Sequence, residues 1–450
     1  MRGRASHFVI FFVILAALAV GLVVLMTKRS RSREASPVLA AAEAPAPAKR
    51  SLPPLPQRPL SPRLKSLRQR AAEAASRERG LEWRGEVGMT ELSGWEYGTR
   101  TKEVADVLAT DDLKGLSRLA IAGGMLPEGT DLAALAVSFT AATAGATYSP
   151  LDKQVLLVAE RGGPRDTGLL THEFVHALQD QHFDLLRMML ARPFSFDREE
   201  ASFALVEGDA VSVERRVMRG EAWVKRPLED VTREEDERFA SYRKGIGAFF
   251  PPLLTETFIF RYRDGLRFVE TMRRARPAVS LDEVFRRPPV SSEQVLHPEK
   301  YLAGETPREV EADVKGFADE GWGLTATTPL GEIGVRGLLM AGVTTDEAKR
   351  AAAGWGGDRS FVFEREGRAP LFVWRTVWDT PRDAQEFFRA YNEMMRRRAA
   401  PAEADADAEA VRAWRDGEAL TRVRVEGDSV TVVRGAEADS ADGLRLALGR

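Results

Sequence analysis

The segment from His172 to His176 reads His-Glu-Phe-Val-His, and it constrains the fold more than any other part of the chain. Four residues advance an α-helix by about 400°, so two His at this spacing project from the same face, about one turn apart. Two imidazoles placed in this way can bind one metal ion at ~2.0–2.1 Å each. The chain has only 5 His in 450 residues, so a chance pairing is a poor explanation. The sequence therefore predicts a helix that carries two metal-binding His.

Glu173 lies inside this segment, about 100° round the helix from His172 and therefore beside a bound ion. A carboxylate in that place can take a proton from a metal-activated water and pass it to a leaving amine, so we predict that Glu173 is a general base. The surrounding letters LLTHEFVHAL contain no other charge, as expected of a buried helix. The alternative is a half-buried structural helix whose two His bond to backbone carbonyls.

Two residues compete to be the third metal ligand, and the first of them is His182. It has the spacing of the metzincin pattern His-Glu-x-x-His-x-x-Gly-x-x-His, but Gln179 stands where that pattern has the Gly that turns the chain. The letters ALQDQHFDLL can continue as helix without a break. On a continuing helix His182 faces away from the ion.

The second candidate is Glu207, a buried acid in the helical stretch at 199–218. We predict that it completes a site with His172 and His176 and leaves the fourth metal position open. Gly208 costs about 1 kcal/mol relative to Ala inside a helix, which favours a close approach by the helix that carries the two His. Asp209 is either a rival ligand or an outer acid that orients a His. The alternative for Glu207 is an ion pair with a neighbouring Arg at the helix surface.

The words THEFVHALQDQHFDL and ALVEGDA resemble the gluzincin group of zincin metallopeptidases. They are similar in particular to an uncharacterised prokaryotic family of predicted membrane-associated zinc metallopeptidases. That resemblance extends over AGATYSPLDKQVLLV, SSEQVLHPEKY and GWGGDR, which together span most of residues 115–390. It implies a Zn²⁺ cofactor and a protein or peptide substrate. Two other functions stay open, namely a catalytically inactive envelope scaffold that binds a partner, and a zinc amidase that acts on a non-protein amide.

A zincin also uses a His, Tyr or Arg opposite the general base to hold the oxyanion. His297 and Tyr301 in EQVLHPEKY are candidates, and Tyr148 on the segment before the metal-binding helix is another. For each of the three, a structural role is the competing and favoured interpretation.

The N-terminus contains 19 uncharged residues in a row, at 8–26. This length can span a bilayer core of ~30 Å. A signal peptide usually has a shorter apolar region and a small-residue cleavage site, which does not follow directly here. We therefore expect a single-pass membrane anchor with basic flanks over residues 1–34. The Lys and Arg after the run favour a cytoplasmic body, whereas the frequent bacterial arrangement of a short anchor before a translocated domain favours the extracytoplasmic side, which we prefer.

The predicted fold class is α+β. Residues 35–84 form a Pro- and Ala-rich tether and a solvated lead-in helix, residues 85–312 a mainly helical, zincin-like domain with a small sheet, and residues 313–450 a small α+β domain. A hairpin around residues 150–153 should precede the metal-binding helix, which Asp166 or Thr167 can cap. GWGGDR at 354–359 is expected to form a tight turn.

Composition excludes several classes of function. The chain has no Cys, so disulfides, Cys nucleophiles and thiolate metal sites are excluded. The net charge of −2, from 65 basic and 67 acidic residues, gives no sign of a nucleic-acid partner.

Overall fold

The computed structural model describes residues 52–108, 111–159, 167–275, 279–311, 314–402 and 410–447. Their fold is α+β, as predicted, with many helices, one small sheet and one larger sheet. Within these residues, no helix is both long and apolar enough to cross a bilayer. The predicted anchor at residues 8–26 lies outside the described residues.

Up to residue 303, the described part of the chain is mainly helical, and one helix breaks into a π-helical turn at Phe260–Asp264. A short 3₁₀ turn covers Ile246–Phe249. The helices of this part are α1 Pro62–Arg79, α2 Gly94–Leu108, α3 Asp111–Ala122, α4 Leu132–Thr143, α5 Thr167–Phe183, α6 Leu185–Met189, α7 Phe196–Arg219, α8 Glu221–Val224, α9 Leu228–Lys244, α10 Pro252–Ile259, α11 Gly265–Arg274, α12 Leu281–Arg286, α13 Ser292–Leu296 and α14 Pro298–Ala303.

The small sheet has the strand order β1-β3-β2, with β1 at Gly88–Leu92, β2 at Ala146–Ser149 and β3 at Gln154–Val158. Strands β2 and β3 pair antiparallel around residues 150–153, which confirms the predicted hairpin. Strand β1 pairs parallel with β3, although short helical patterns dominate the sequence around it. Its five residues are too few to show a clear alternation, and the partner strand decides their conformation.

The C-terminal third contains a sheet of seven antiparallel strands in the order β4-β5-β6-β10-β9-β8-β7. GWGGDR belongs mostly to β5 in this sheet, so the expectation of a tight turn was wrong. A register shift between Trp355 and Gly357 lets the strand absorb its Gly residues. The elements are α15 Val314–Asp319, β4 Gly323–Thr328, α16 Gly331–Leu339, α17 Thr345–Ala352, β5 Trp355–Glu364, β6 Leu371–Trp378, α18 Pro381–Arg396, β7 Ala400–Ala402, β8 Val411–Asp416, β9 Ala419–Glu426, β10 Ser429–Gly435 and α19 Glu437–Ala447.

One hydrophobic cluster includes side chains from Leu67 in α1 to Val432 in β10. It therefore contains residues on both sides of the predicted boundary after residue 312. Helix α1 was expected to be solvated, but Leu67, Ala71 and Ala75 are buried and the helix packs against α5 and α7. The stretch after the predicted tether is thus part of the folded body.

Helix α7 crosses the helix formed by the π turn and α11 at very short range. A Cβ on Gly208 would lie 2.2 Å from the backbone carbonyl of Gly265, and a Cβ on Gly265 would lie 2.1 Å from the carbonyl oxygen of Ala204. Gly208 therefore does serve a close backbone approach, but its partner is Gly265 and not the helix that carries the two His. This crossing brings the π turn beside α7, next to Glu207.

Candidate metal centre

Two helices, α5 and α7, carry the residues of the candidate site. Helix α5 begins at Thr167, one of the two residues predicted to cap it, and Asp166 lies outside the described residues. Helix α7 begins after Ser195, whose side chain accepts a hydrogen bond from the Arg198 N–H. Acidic residues in its first turn and Arg residues in its last turn interact favourably with the helix dipole and stabilise the helix. The cap holds the N-terminal end of α7, and the two helices pack against each other.

His172, His176 and Glu207 come together where α5 and α7 meet. Glu207 Oε2 lies 3.3 Å from His172 Nε2 and 3.6 Å from His176 Nε2. All three side chains are buried, with at most 2% of any residue exposed. His172 Nε2 and Glu207 Oε2 make no hydrogen bond of good geometry, although buried polar atoms normally do. One ligand atom from each residue can therefore reach a common metal ion.

The outer nitrogen of each His faces an oxygen atom. His176 Nδ1 lies 2.9 Å from Gln179 Oε1, and His172 Nδ1 lies 3.4 Å from Glu214 Oε2. The His176 contact is a hydrogen bond, whereas the His172 contact lacks hydrogen-bond geometry. With a metal bound, a proton on Nδ1 would leave the lone pair of each Nε2 for the ion. The arrangement is the one that metal-binding His residues usually show.

Glu173 lies beside this trio and is fully buried. Its Oε2 accepts a hydrogen bond of 2.7 Å from the Tyr148 N–H, while its Oε1 makes no hydrogen bond. Burial raises the pKa of Glu173 to about 7, against the opposing effect of the positive charges on His172 and His176. A carboxyl group with a pKa near neutrality can both accept and donate a proton.

The pKa values of two members of the trio shift in opposite directions. Burial disfavours the charged form of His172, but the nearby carboxylates of Glu207, Glu214 and Glu173 outweigh it and raise the pKa of His172 to about 10. Burial likewise disfavours ionised Glu207, but His176 and His172 outweigh it and lower the pKa of Glu207 to about 2. The carboxylates therefore favour a positive charge at the point where the three side chains meet.

Tyr262 lies on the π-helical turn and contacts two members of the trio. Its ring stacks against that of His172, with the centroids 6.4 Å apart. Burial, together with the charge of Glu207 and a hydrogen bond to it, raises the pKa of Tyr262 well above its usual value. The hydroxyl therefore keeps its proton and donates a hydrogen bond to the carboxylate of Glu207. π turns are frequent at functional sites because the extra residue redirects side chains.

The structure places His182 away from the trio. Helix α5 continues through Gln179 to Phe183, and the turn comes only at Asp184, with φ of 55°. His182 Nε2 instead lies 2.8 Å from the backbone oxygen of Glu82. Because no turn follows His176 directly, His182 cannot swing back toward the other two His.

The three oxyanion candidates make other contacts. Tyr148 contributes its backbone N–H to Glu173, but its hydroxyl donates to Asp180 Oδ2 at 2.7 Å. His297 Nε2 lies 2.9 Å from Glu332, and the Tyr301 hydroxyl donates to the backbone oxygen of Arg287 at 2.9 Å. These contacts favour the structural interpretation of all three side chains.

Sequence reasoning missed Gln179, Glu214 and Tyr262 as parts of the site. Glu214 could have been found, because it lies seven residues after Glu207 and so on the same face of α7. Gln179 lies three residues after His176 and was treated only as a missing Gly. Tyr262 gave no signal, since only the tertiary crossing at Gly208 brings it to the site. Asp209, predicted as an outer acid, reaches His176 only through Gln179.

Comparison with known proteins adds little about the site. A family model described as "Domain of unknown function (DUF8575)" matches residues 322–445, which contain the seven-stranded sheet and none of the metal-centre residues. No curated protein and no solved structure matches the chain significantly.

Proposed function

We propose that this protein is a zinc-dependent hydrolase of the gluzincin type that cleaves peptide bonds. The observation that carries the proposal is the buried meeting point of His172 Nε2, His176 Nε2 and a Glu207 oxygen, with the carboxyl group of Glu173 next to it. Two imidazoles and one carboxylate are a usual ligand set of catalytic zinc. The chain offers no thiolate that would favour other metals or a closed structural site.

The fit of zinc to the site rests on the buried polar atoms. His172 Nε2 and Glu207 Oε2 are both buried and make no well-formed hydrogen bond, a costly state that a shared cation relieves. The Gln179 hydrogen bond of His176 and the 3.4 Å contact of His172 Nδ1 with Glu214 are compatible with both Nε2 atoms facing Glu207. His172, His176 and Glu207 would hold the ion. When bound, zinc polarises a carbonyl oxygen and lowers the pKa of a coordinated water toward ~7.

Glu173 moves the proton in the proposed reaction. Its Oε1 is free of hydrogen bonds, so this oxygen can accept a proton from the attacking water and deliver it to the leaving amine. The Tyr148 N–H holds the other oxygen at 2.7 Å, which fixes the orientation of the carboxylate. This hydrogen bond from β2 to Glu173 also holds the β2–β3 hairpin beside the site.

The site is closed in this structure, because Glu173 and His176 are 0% exposed. A peptide can reach Glu173 only after the surrounding segments move apart, as lids and loops do in many enzymes. A membrane tether at residues 8–26 and an extracytoplasmic location stay predictions from the sequence.

Glu173→Gln tests the proposal, since Gln keeps the size of the side chain and removes the base. We expect about one zinc per chain by elemental analysis in both proteins, and a loss of roughly 10²–10⁴-fold in kcat/KM toward a diverse peptide library in the variant. Glu199→Gln is a matched control, because Glu199 is a buried acid of α7 that lies outside the trio. Wild type that holds no zinc under metal-replete conditions, or equal cleavage by Glu173→Gln, would overturn the proposal.

A further inference from the structure

A chain of buried hydrogen bonds runs outward from His176 and joins four helices, α5, α7, α1 and α11. His176 Nδ1 lies 2.9 Å from Gln179 Oε1, and Gln179 Nε2 donates to Asp209 Oδ2 at 3.0 Å. Asp209 in turn accepts from Arg79 Nε at 2.6 Å and from Arg273 Nη2 at 2.9 Å. Gln179 and Asp209 are both 0% exposed. The chain therefore joins His176 to α1, far from it in sequence.

Counting donors and acceptors fixes the orientation of the Gln179 amide. Its Nε2 faces two acceptors, Asp209 Oδ2 and the Val206 carbonyl oxygen at 3.1 Å. A flipped amide would place an oxygen against both, so the amide oxygen must face His176. His176 is then the donor through Nδ1–H, so that in the neutral ring, the form that binds a metal, Nε2 carries the lone pair. The position of one proton on His176 thus follows from the acceptors on α7.

Asp209 accepts a hydrogen bond from the Gln179 amide and so keeps it in that orientation. Arg79 and Arg273 in turn fix the position of the Asp209 carboxylate. They bind different oxygens of this carboxylate. Arg79 also pairs with Asp282 at 2.8 Å, and its guanidinium lies over the rings of Phe183 and Phe285. Because its side chain is only 4% exposed, Arg79 is a fixed part of the site's surroundings.

We propose that Gln179, Asp209 and Arg79 are positioning residues that set the tautomer and ring orientation of His176 for metal binding. The inference rests on the proposed function, in which His176 is a metal ligand. It differs from the support of His172, whose Nδ1 faces the carboxylate of Glu214 directly. A neutral amide orients His176 without adding a further negative charge next to the metal. Through Arg79, helix α1, which follows the predicted tether, contributes to the surroundings of the metal site.

Zinc affinity of the full chain, measured by competition with a chromophoric chelator, tests this inference. Gln179→Met removes all three side-chain hydrogen bonds of Gln179 at similar size. We expect zinc to bind 10–100-fold more weakly, the usual effect of losing an outer partner of a ligating His. Asp209→Asn should weaken binding in the same direction, and Arg79→Met less, because Arg273 still holds Asp209. The absorption spectrum of the cobalt-substituted protein should change in the same variants, since it reports ligand geometry.

Two controls separate positioning from general stability. Gln181 also lies on α5 and makes two hydrogen bonds, but to the backbone of Arg84 and Gly85, so Gln181→Met should bind zinc as wild type does. Glu256 is a buried acid held by Arg243, so Glu256→Gln breaks a comparable pair elsewhere. It should lower the unfolding temperature and leave zinc affinity within about twofold of wild type.

A second substitution that restores zinc affinity gives the sharpest test. Gln179→Glu keeps an acceptor for His176 but sets a carboxylate against Asp209, so we expect it to bind zinc at least as weakly as Gln179→Met. Adding Asp209→Asn should recover part of that affinity, because the amide introduced by this second substitution can donate to the new carboxylate.

If Asp209→Asn does not fold, Gln179→Met and Gln179→Glu decide, as both keep the pairs between Asp209 and the two Arg. Wild-type affinity and an unchanged cobalt spectrum in these variants would refute the positioning role. No zinc bound by wild type would instead refute the proposed function.

Discussion

Two clusters in this protein have the composition of a metal site, and they differ in what lies at their centre. The first is His172, His176 and Glu207, and the second is Glu293, Glu305 and Asp379. In the second cluster the amino group of Lys300 lies 2.6–2.8 Å from all three carboxylates. In the first, the side chains converge with no Lys or Arg between them among the described contacts. A cluster of ligand residues indicates a metal only where the protein itself does not supply the cation.

The buried acids of the two clusters show the same contrast in their pKa values. His176 and His172 outweigh burial and lower the pKa of Glu207 to about 2. Burial raises the pKa of Glu293 to about 7, and the opposing effect of Lys300 is too small to reverse it. Lys300 shares one charge among three acids, whereas Glu207 faces two His. The second cluster is therefore a structural ion-pair network, and the first is a site that favours added positive charge.

The largest expected effect comes from removing Glu207. A zinc site of four ligands provides ~10–16 kcal/mol, so losing one ligand should cost about 3 kcal/mol or more, roughly a hundred- to thousandfold in affinity. We expect Glu207→Ala to lose most of its zinc in elemental analysis after dialysis. His182→Ala should keep it, because His182 contacts Glu82 and not the trio. Glu293→Ala is the control from the second cluster, and a zinc loss equal to that of Glu207→Ala would show that the distinction between the clusters is wrong.

A smaller effect is expected from removing the cation of the second cluster. Lys300→Met leaves three carboxylates facing each other, one of them buried, and should lower the free energy of unfolding by about 2 kcal/mol, less than for a fully buried pair. The freed oxygens then form a ligand set suited to Ca²⁺. If the dissociation constant is ~1 mM, ~10 mM Ca²⁺ should restore about 1.4 kcal/mol in urea unfolding.

Wild type provides the decisive comparison for that variant, because Lys300 already occupies the centre of its cluster. Calcium should not stabilise it. The exposed Lys315 offers a matched control as Lys315→Met, which should change neither stability nor the calcium response. Equal stabilisation of wild type by calcium would mean that the second cluster is a cation site as well.

The sequence predicted the parts of the site that depend on local spacing. His172 and His176 share a face because they are four residues apart, and the uninterrupted helix at Gln179 followed from the absence of Gly. The parts that depend on tertiary packing were missed or misassigned. Gly208 was correctly associated with a close contact, but the residues around it in the sequence do not indicate that Gly265 is its partner. Arg79 was placed on a solvated lead-in helix, whereas burial of small Ala residues decides the packing of α1.

The smallest expected effect is the pH dependence contributed by Glu293. Its pKa is raised from 4.5 to about 7 in the folded state, so the stability it contributes relative to a neutral side chain is present below pH 4.5 and is lost as pH rises through 7. Wild type should therefore lose stability relative to Glu293→Gln between about pH 5 and pH 8, on the order of 1–2 kcal/mol in urea unfolding. Glu305→Gln, the half-exposed member of the cluster, should change this difference by less than about 0.5 kcal/mol. If wild type instead gains relative stability over this range, Lys300 outweighs burial at Glu293, and the two clusters differ in geometry but not in electrostatics.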